Sequence, residues 1–126
     1  MDATLAAALE TGGVADITTV GRRTGLERRI EINFHNLDGD LYLTGRPGPK
    51  RDWLANLAAD PRFTLHLTRG PLADLAAEAD VIIDSEERRR VLARLLIESW
   101  KVEAEKAEAV LPRWVEDAPL VRFRLL

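Results

Sequence analysis

Apolar positions recur every second residue in some stretches of this chain and every third or fourth in others, and the two periods divide it into strands and helices. Residues 3–11 are rich in Ala and Leu and are stopped by Gly12-Gly13, which predicts a short first helix. Val14 to Val20 is rich in β-branched residues and reads as a strand. After a turn over Gly21–Gly25, Leu26 to Asn36 forms a second strand, because Ile30, Ile32 and Phe34 alternate with Arg29, Glu31 and Asn33. Asp38-Gly39 is a hairpin signal and leads into a short third strand, Leu41 to Thr44. Gly45-Arg46-Pro47-Gly48-Pro49 must be a loop, since proline cannot donate to a ladder. A helix is predicted over about residues 49 to 59, with Trp53, Leu54, Leu57 and Ala58 on one face and Asp60-Pro61 as its stop. Phe63, Leu65 and Leu67 mark a fourth strand.

Residues 72–83 carry two conflicting signals. Their alanine content favours a helix, yet Asp74, Ala76, Glu78 and Asp80 occupy one alternate set and Leu75, Ala77, Ala79 and Val81 the other. The alternation predicts a fifth strand. Asp84, with Glu87 three residues on, resembles a helix start, and Val91, Leu92, Leu95, Leu96 and Trp100 draw the apolar face of a helix to about residue 100. Arg88-Arg89-Arg90 falls largely on its solvated side. A further short helix is expected over about 103–113, and Leu120-Val121-Arg122-Phe123-Arg124-Leu125 closes the chain as a strand. Six strands, three or four helices, early hairpin links and no βαβ alternation give an α+β, mainly β fold. The expectation is an antiparallel barrel or curved sheet with helices packed outside, one domain over residues 1–126.

Composition narrows the function classes. At 126 residues, with 46% hydrophobic and 31% charged residues, the chain reads as a globular domain with a real core. Without cysteine there is neither a disulfide nor a thiolate metal site, and the cytosol is the default compartment. No apolar run approaches the roughly 18 residues of a membrane span, and Asp2 and Glu10 do not suit the basic start of a signal peptide. His35 and His66 lie in strand-like stretches with no carboxylate at ligand spacing, so both read as partly exposed sheet residues rather than metal ligands. No nucleophile elbow, Walker loop or zinc-protease helix is present.

The informative exception is the turn Thr18-Thr19-Val20-Gly21-Arg22-Arg23-Thr24-Gly25-Leu26-Glu27-Arg28-Arg29, with four arginines in a chain of net charge −3. Guanidinium groups bind phosphate or carboxylate in bidentate fashion, and glycine lets backbone N–H groups approach an anion. The turn therefore reads as a phosphate clamp, or equally as a solvated hairpin, since Gly and charged residues are common in both. Nucleic acid is a poor fit, because residues 14–31 hold no aromatic and the pI is about 5.4.

Thr-Thr-x-Gly-Arg-Arg-Thr-Gly, Gly45-Arg46-Pro47-Gly48, Asp52-Trp53-Leu54-Ala55-Asn56-Leu57 and Asp60-Pro61 follow one another in a familiar order. This order resembles the deazaflavin (F420)-dependent nitroreductase family of the actinobacteria. That family lies within the flavin-binding split β-barrel superfamily, which also holds the pyridoxamine phosphate oxidases. The resemblance covers residues 14–68 and the final strand, and is poor over 85–117. It implies a split barrel that binds coenzyme F420, with FMN as the alternative. Carried over by position, Arg22, Arg23, Thr24 and Arg28 would meet the phosphate. Gly45, Arg46 and Lys50 would line the ring or tail, with Thr44 beside them and Asn56 nearby on the helix. Arg51 could add charge for an anionic tail.

Trp53 is expected to pack rather than stack on a ligand, and Arg29 to point away from the clamp. Family members with tyrosines around the substrate pocket differ from this chain, whose one tyrosine is Tyr42 and whose C-terminal aromatics are Trp100 and Trp114. No residue stands out as a general acid; water or a hydroxyl such as Thr44 would supply the proton. The resemblance thus implies a cytoplasmic oxidoreductase passing hydride to a quinone, enone, coumarin-like lactone or nitro compound. The residues offer no metal site; monomer and homodimer both stay open, with split barrels of this kind commonly pairing through sheet faces. The competing reading is a non-catalytic carrier or sensor of flavin, deazaflavin or haem, for which the same arginines would serve.

Overall fold

The computed structural model describes residues 1–126 and shows a closed six-stranded antiparallel barrel. The elements run α1 (Ala3–Thr11), β1 (Gly13–Val20), β2 (Glu27–Leu37), β3 (Asp40–Thr44), α2 (Asp52–Ala59), β4 (Arg62–Leu67), β5 (Ala73–Val81), α3 (Ser85–Arg94), α4 (Ala104–Asp117) and β6 (Leu120–Leu125). A π-helical turn, Leu95–Ser99, follows α3 directly. The strand order is β1-β2-β3-β6-β5-β4, and β4 returns to β1 through Asp16↔His66 and Thr18↔Thr64.

Alternation sets what the barrel encloses. Ala15, Ile17 and Thr19 of β1 face inward with Phe34 of β2, Leu43 of β3, Leu65 of β4, Ala77 of β5 and Val121 and Phe123 of β6. Burying an aliphatic side chain of this size stabilises by about 1.5–3 kcal/mol, so a slip of one residue in any strand would be heavily penalised. A second cluster lies outside the barrel, where Leu37, Tyr42 and Leu120 pack against Val91, Leu92, Leu95, Leu96 and Trp114. Helices α3 and α4 therefore cover one side of the barrel.

Residues 73–81 are a strand, as their alternation indicates. They pair with β4 through Leu65↔Leu75 and with β6 through Ala79↔Phe123, so both edges of this alanine-rich segment are filled. Asp2 caps α1 through Thr4 N at 2.7 Å, and Gly12 ends it where a Cβ would come within 2.8 Å of the Phe34 carbonyl.

Three details depart from the sequence reading. Helix α2 begins at Asp52 rather than 49, because Arg51 is still extended and serves as N-cap without a side-chain cap. The long helix to residue 100 gives up its α-helical pattern after Arg94 for the π turn. Arg88 is not on a solvated face: its guanidinium turns inward and donates to the carbonyls of Ile82, Val115 and Ala118, which closes the C-terminal end of α4. Burial pushes the Arg88 guanidinium below its usual pKa, although it keeps its charge.

Candidate active site

Strand alternation brings Thr19 and Ile30 to the inward side at the mouth of the barrel, where the β1–β2 hairpin and the start of α2 close over them. The cavity there measures about 480 Å³. Arg22, Arg23, Thr24 and Arg28 contribute from the hairpin, and Arg51, Asp52, Trp53 and Asn56 from the other wall. Four guanidiniums thus share a cavity with one carboxylate, in a chain whose formal net charge is −3.

Asn56 organises this wall. It is 3% exposed, and its Oδ1 accepts from Arg22 N at 3.2 Å and Arg22 Nη1 at 2.9 Å. Its Nδ2 donates to Thr19 Oγ1 at 3.2 Å, so one buried amide ties β1, the hairpin and α2 together. Arg22 also reaches Asp52 at 3.4 Å, whereas Arg23 and Arg28 take part in no ion pair of the molecule. Arg22 is positioned and half spent; Arg23 and Arg28 are free.

Backbone geometry adds to the arginines. Gly21 N donates to Leu26 O at 2.8 Å, and a Cβ on Gly21 would lie 2.9 Å from Thr24 Oγ1 and 3.1 Å from that same carbonyl. A larger residue at 21 would have to push both oxygens back, so glycine suits the tight turn. The first turn of α2 has no side-chain cap, and its leading residues line the cavity, so the positive end of the helix adds to the field. This donor set suits a phosphate ester.

Of the residues that the resemblance placed at a cofactor, Arg22, Arg23, Thr24, Arg28 and Asn56 share this cavity. Thr44, Gly45 and Lys50 do not line it. Thr44 is buried, and its Oγ1 donates to Pro119 O at 2.6 Å. The side chain of Arg46 turns to a different cavity, with its Cζ 5.9 Å from the centre of the Trp100 ring, while its carbonyl accepts from Arg51 Nη2 at 2.6 Å. Trp53 does both of the things set against each other in its sequence: it packs on the barrel core and lines the cavity. Arg29 pairs with Asp16 at 2.9 Å on the outer surface.

Thr19 was not singled out, although a threonine at an inward position near a strand end was a readable signal. Tyr42 lies away from the cavity in the second cluster, where its hydroxyl accepts from Arg122. His66 is buried rather than partly exposed, with Nε2 2.7 Å from Thr18 Oγ1 and Nδ1 2.6 Å from Asp74 Oδ1, a chain that ties β1, β4 and β5.

Known proteins share this architecture. Rv2991 from Mycobacterium tuberculosis aligns with a TM-score of 0.71 at 18% identity, over 99% of this chain and 84% of its own. A pyridoxamine 5'-phosphate oxidase-like protein from Listeria innocua aligns with a TM-score of 0.63 at 13% identity, over 97% and 94%. A structure described as an F420 reductase aligns with a TM-score of 0.63 at 17% identity, over 95% and 91%. At these identities the likeness concerns the fold, which is that of the split barrels. No curated protein matches the sequence. The family model for F420H(2)-dependent quinone reductases matches residues 1–118. With nearly its whole length matched, the chain belongs to the F420H(2)-dependent quinone reductase family, an assignment that makes it an oxidoreductase rather than a non-catalytic carrier and favours coenzyme F420 over FMN.

Proposed function

We propose that the cavity at the barrel mouth grips the phosphate of coenzyme F420 and that the protein reduces a conjugated acceptor, a quinone first, with enones, coumarin-like lactones and nitro compounds as further candidates. The observation that carries this is the donor set: Arg22 held by a buried asparagine, with Arg23 and Arg28 unpaired beside it. When bound in its reduced form, F420 supplies a hydride. Each charge-assisted hydrogen bond contributes about 1.5–3 kcal/mol, so the clamp suffices to anchor a phosphodiester.

Every other part of the task falls to the chain's own residues. Asn56 orients Arg22, Gly21 lets the turn close, and Trp53 and Ile30 give the cavity its apolar wall. Gly45 and Lys50 are assigned to the ring or tail. Arg46 contributes there through its carbonyl, which fixes Arg51. Thr44 has committed its proton to Pro119 O, so the proton that accompanies hydride comes from water in this reading. No helix of the structure is long and apolar enough to cross a membrane. The reading places one such domain, over residues 1–126, in the cytoplasm as a homodimer; light scattering on the purified chain reads the copy number.

Titration of the purified protein with F420 and FMN, followed by fluorescence, tests the cofactor site. Oxidation of reduced F420 on addition of a naphthoquinone tests the reaction. Binding of F420 with FMN bound more weakly is expected. Failure to bind F420, or equal affinity for FMN, would overturn the proposal.

A further inference from the structure

A cavity larger than the arginine-lined one lies elsewhere. It measures about 810 Å³ and runs between the outer face of β2 and the end of the π turn, with His35, Asp38, Arg46, Glu98, Trp100 and Lys101 in its wall. This size is ordinary for a small-molecule site. Four independent features meet there.

Charge is the first. Asp38 and Glu98 are both taken by Arg94, at 2.9 Å and 2.7 Å, whereas neither Arg46 nor Lys101 enters any ion pair of the molecule. Lys101 adds only a weak through-space pull on Glu98. The cavity's two carboxylates share one guanidinium that lies outside the lining, and its own two cations are left unpaired.

The second is unspent hydrogen bonding. His35 Nε2 and Trp100 Nε1 are the buried side-chain polar atoms without a partner; their residues line this wall, with the nitrogens themselves shut off from solvent behind it. Such atoms are rare enough to need an explanation. Burial holds the His35 imidazole below its usual pKa, so it remains a neutral ring.

Backbone conformation is the third. The wall ends in a π turn, a form that recurs at functional sites, and Lys101 sits at φ 56° in the left-handed region that lysine seldom adopts. The fourth is the flat aromatic surface. The His35 and Trp100 rings lie 6.3 Å apart at 30°, Trp114 braces Trp100 edge-on at 4.9 Å, and Arg46 is seated over the indole.

We propose that this cavity is a second binding site, formed for a planar aromatic carboxylate whose charge meets Arg46 and Lys101 and whose ring packs on the His35–Trp100 wall. It is distinct from the arginine cavity, with which it shares no lining residue, and Arg46 contributes to both sides: its carbonyl to Arg51, its guanidinium to the second site.

Calorimetric titration with 2-naphthoate and with 2-naphthol, without coenzyme, tests the site. Naphthoate is expected to bind at least about tenfold more tightly than the neutral naphthol. Lys101→Asn, which keeps a residue tolerant of the left-handed backbone, and Arg46→Gln should each weaken naphthoate about tenfold. Lys101→Asn should leave F420 affinity unchanged, and Arg28→Ala should leave naphthoate affinity unchanged. Equal binding of naphthoate and naphthol would overturn the carboxylate site. Loss of naphthoate binding in Arg28→Ala would put the ligand in the first cavity, and loss of F420 affinity in Lys101→Asn would give the second cavity to the coenzyme; either result overturns the proposal. Because the naphthoate measurements use no coenzyme, they can fail while F420 binding at the arginine cavity succeeds, and the converse.

Discussion

Replacing Arg28 and Arg22 separately by alanine divides the work of the clamp into binding and folding. Arg28 is exposed at the cavity rim and has no ion-pair partner, so its loss should change stability by no more than about 0.5 kcal/mol. The phosphate loses one charged hydrogen bond, about 1.5–3 kcal/mol, which corresponds to roughly a 10- to 150-fold rise in the Kd for F420. Arg22 differs, because its Nη1 satisfies the buried Oδ1 of Asn56 at 2.9 Å. Its removal leaves that oxygen with only the backbone N–H of residue 22, and the expected cost is about 1–2 kcal/mol of stability in addition to the affinity loss. For a chain of this size that is roughly 4–8 °C in Tm. F420 titration by fluorescence and thermal unfolding by circular dichroism measure the two quantities on the same samples. Arg28→Ala protein that is folded and binds F420 as tightly as the wild type would refute the clamp. Equal Tm values for the two variants would refute the role given to Asn56.

Other perturbations test other parts of the structure. Asn56→Asp should keep Arg22 in place but put a negative charge beside the phosphate; taking roughly 6 Å at an effective dielectric of about 20, the repulsion is about 2–3 kcal/mol, seen as weaker F420 binding in the folded variant. Arg88→Met removes the donors that serve the carbonyls of Ile82, Val115 and Ala118, and urea unfolding should show a loss of about 2–4 kcal/mol with F420 affinity unchanged in the folded protein. His35 is held below its ordinary pKa of 6.5 by burial, so the unfolded chain binds the extra proton first as pH falls. Stability should therefore be full above about pH 6.5 and decline as pH drops towards the lowered folded value. His35→Gln should flatten that part of the profile, and an unchanged slope in urea melts between pH 7 and 5 would contradict it.

The legible part of this protein was local. Alternation in residues 26–36 and 72–83 identified β2 and β5, even against the alanine content of β5, because a pleat has period two wherever one face is buried. Proline and glycine marked the loop after β3, and the Asp84–Glu87 pattern marked the start of α3, whose Asp84 side chain accepts from Glu87 N at 2.9 Å. The arginines of the hairpin were readable as one anion-binding group, since they are neighbours in sequence on a tight turn. Landmarks in register carried the family resemblance, and the family model over residues 1–118 agrees with its F420-dependent character.

What the sequence determined by itself, then, was the set of elements, their buried faces and the charge of one turn, because propensity, period and turn chemistry act within a few residues. Only the tertiary structure decided how the barrel closes, that Asn56 holds Arg22 across 34 positions, and that Arg51 joins the hairpin arginines while Arg46, five residues earlier, turns to Trp100. It alone turned Arg88 inward and left His35 and Trp100 with unpaired nitrogens in one wall. The reason is physical: where a long polar side chain points depends on which distant carbonyl, carboxylate or ring the strand register brings within about 3–6 Å, and no local pattern encodes that neighbour.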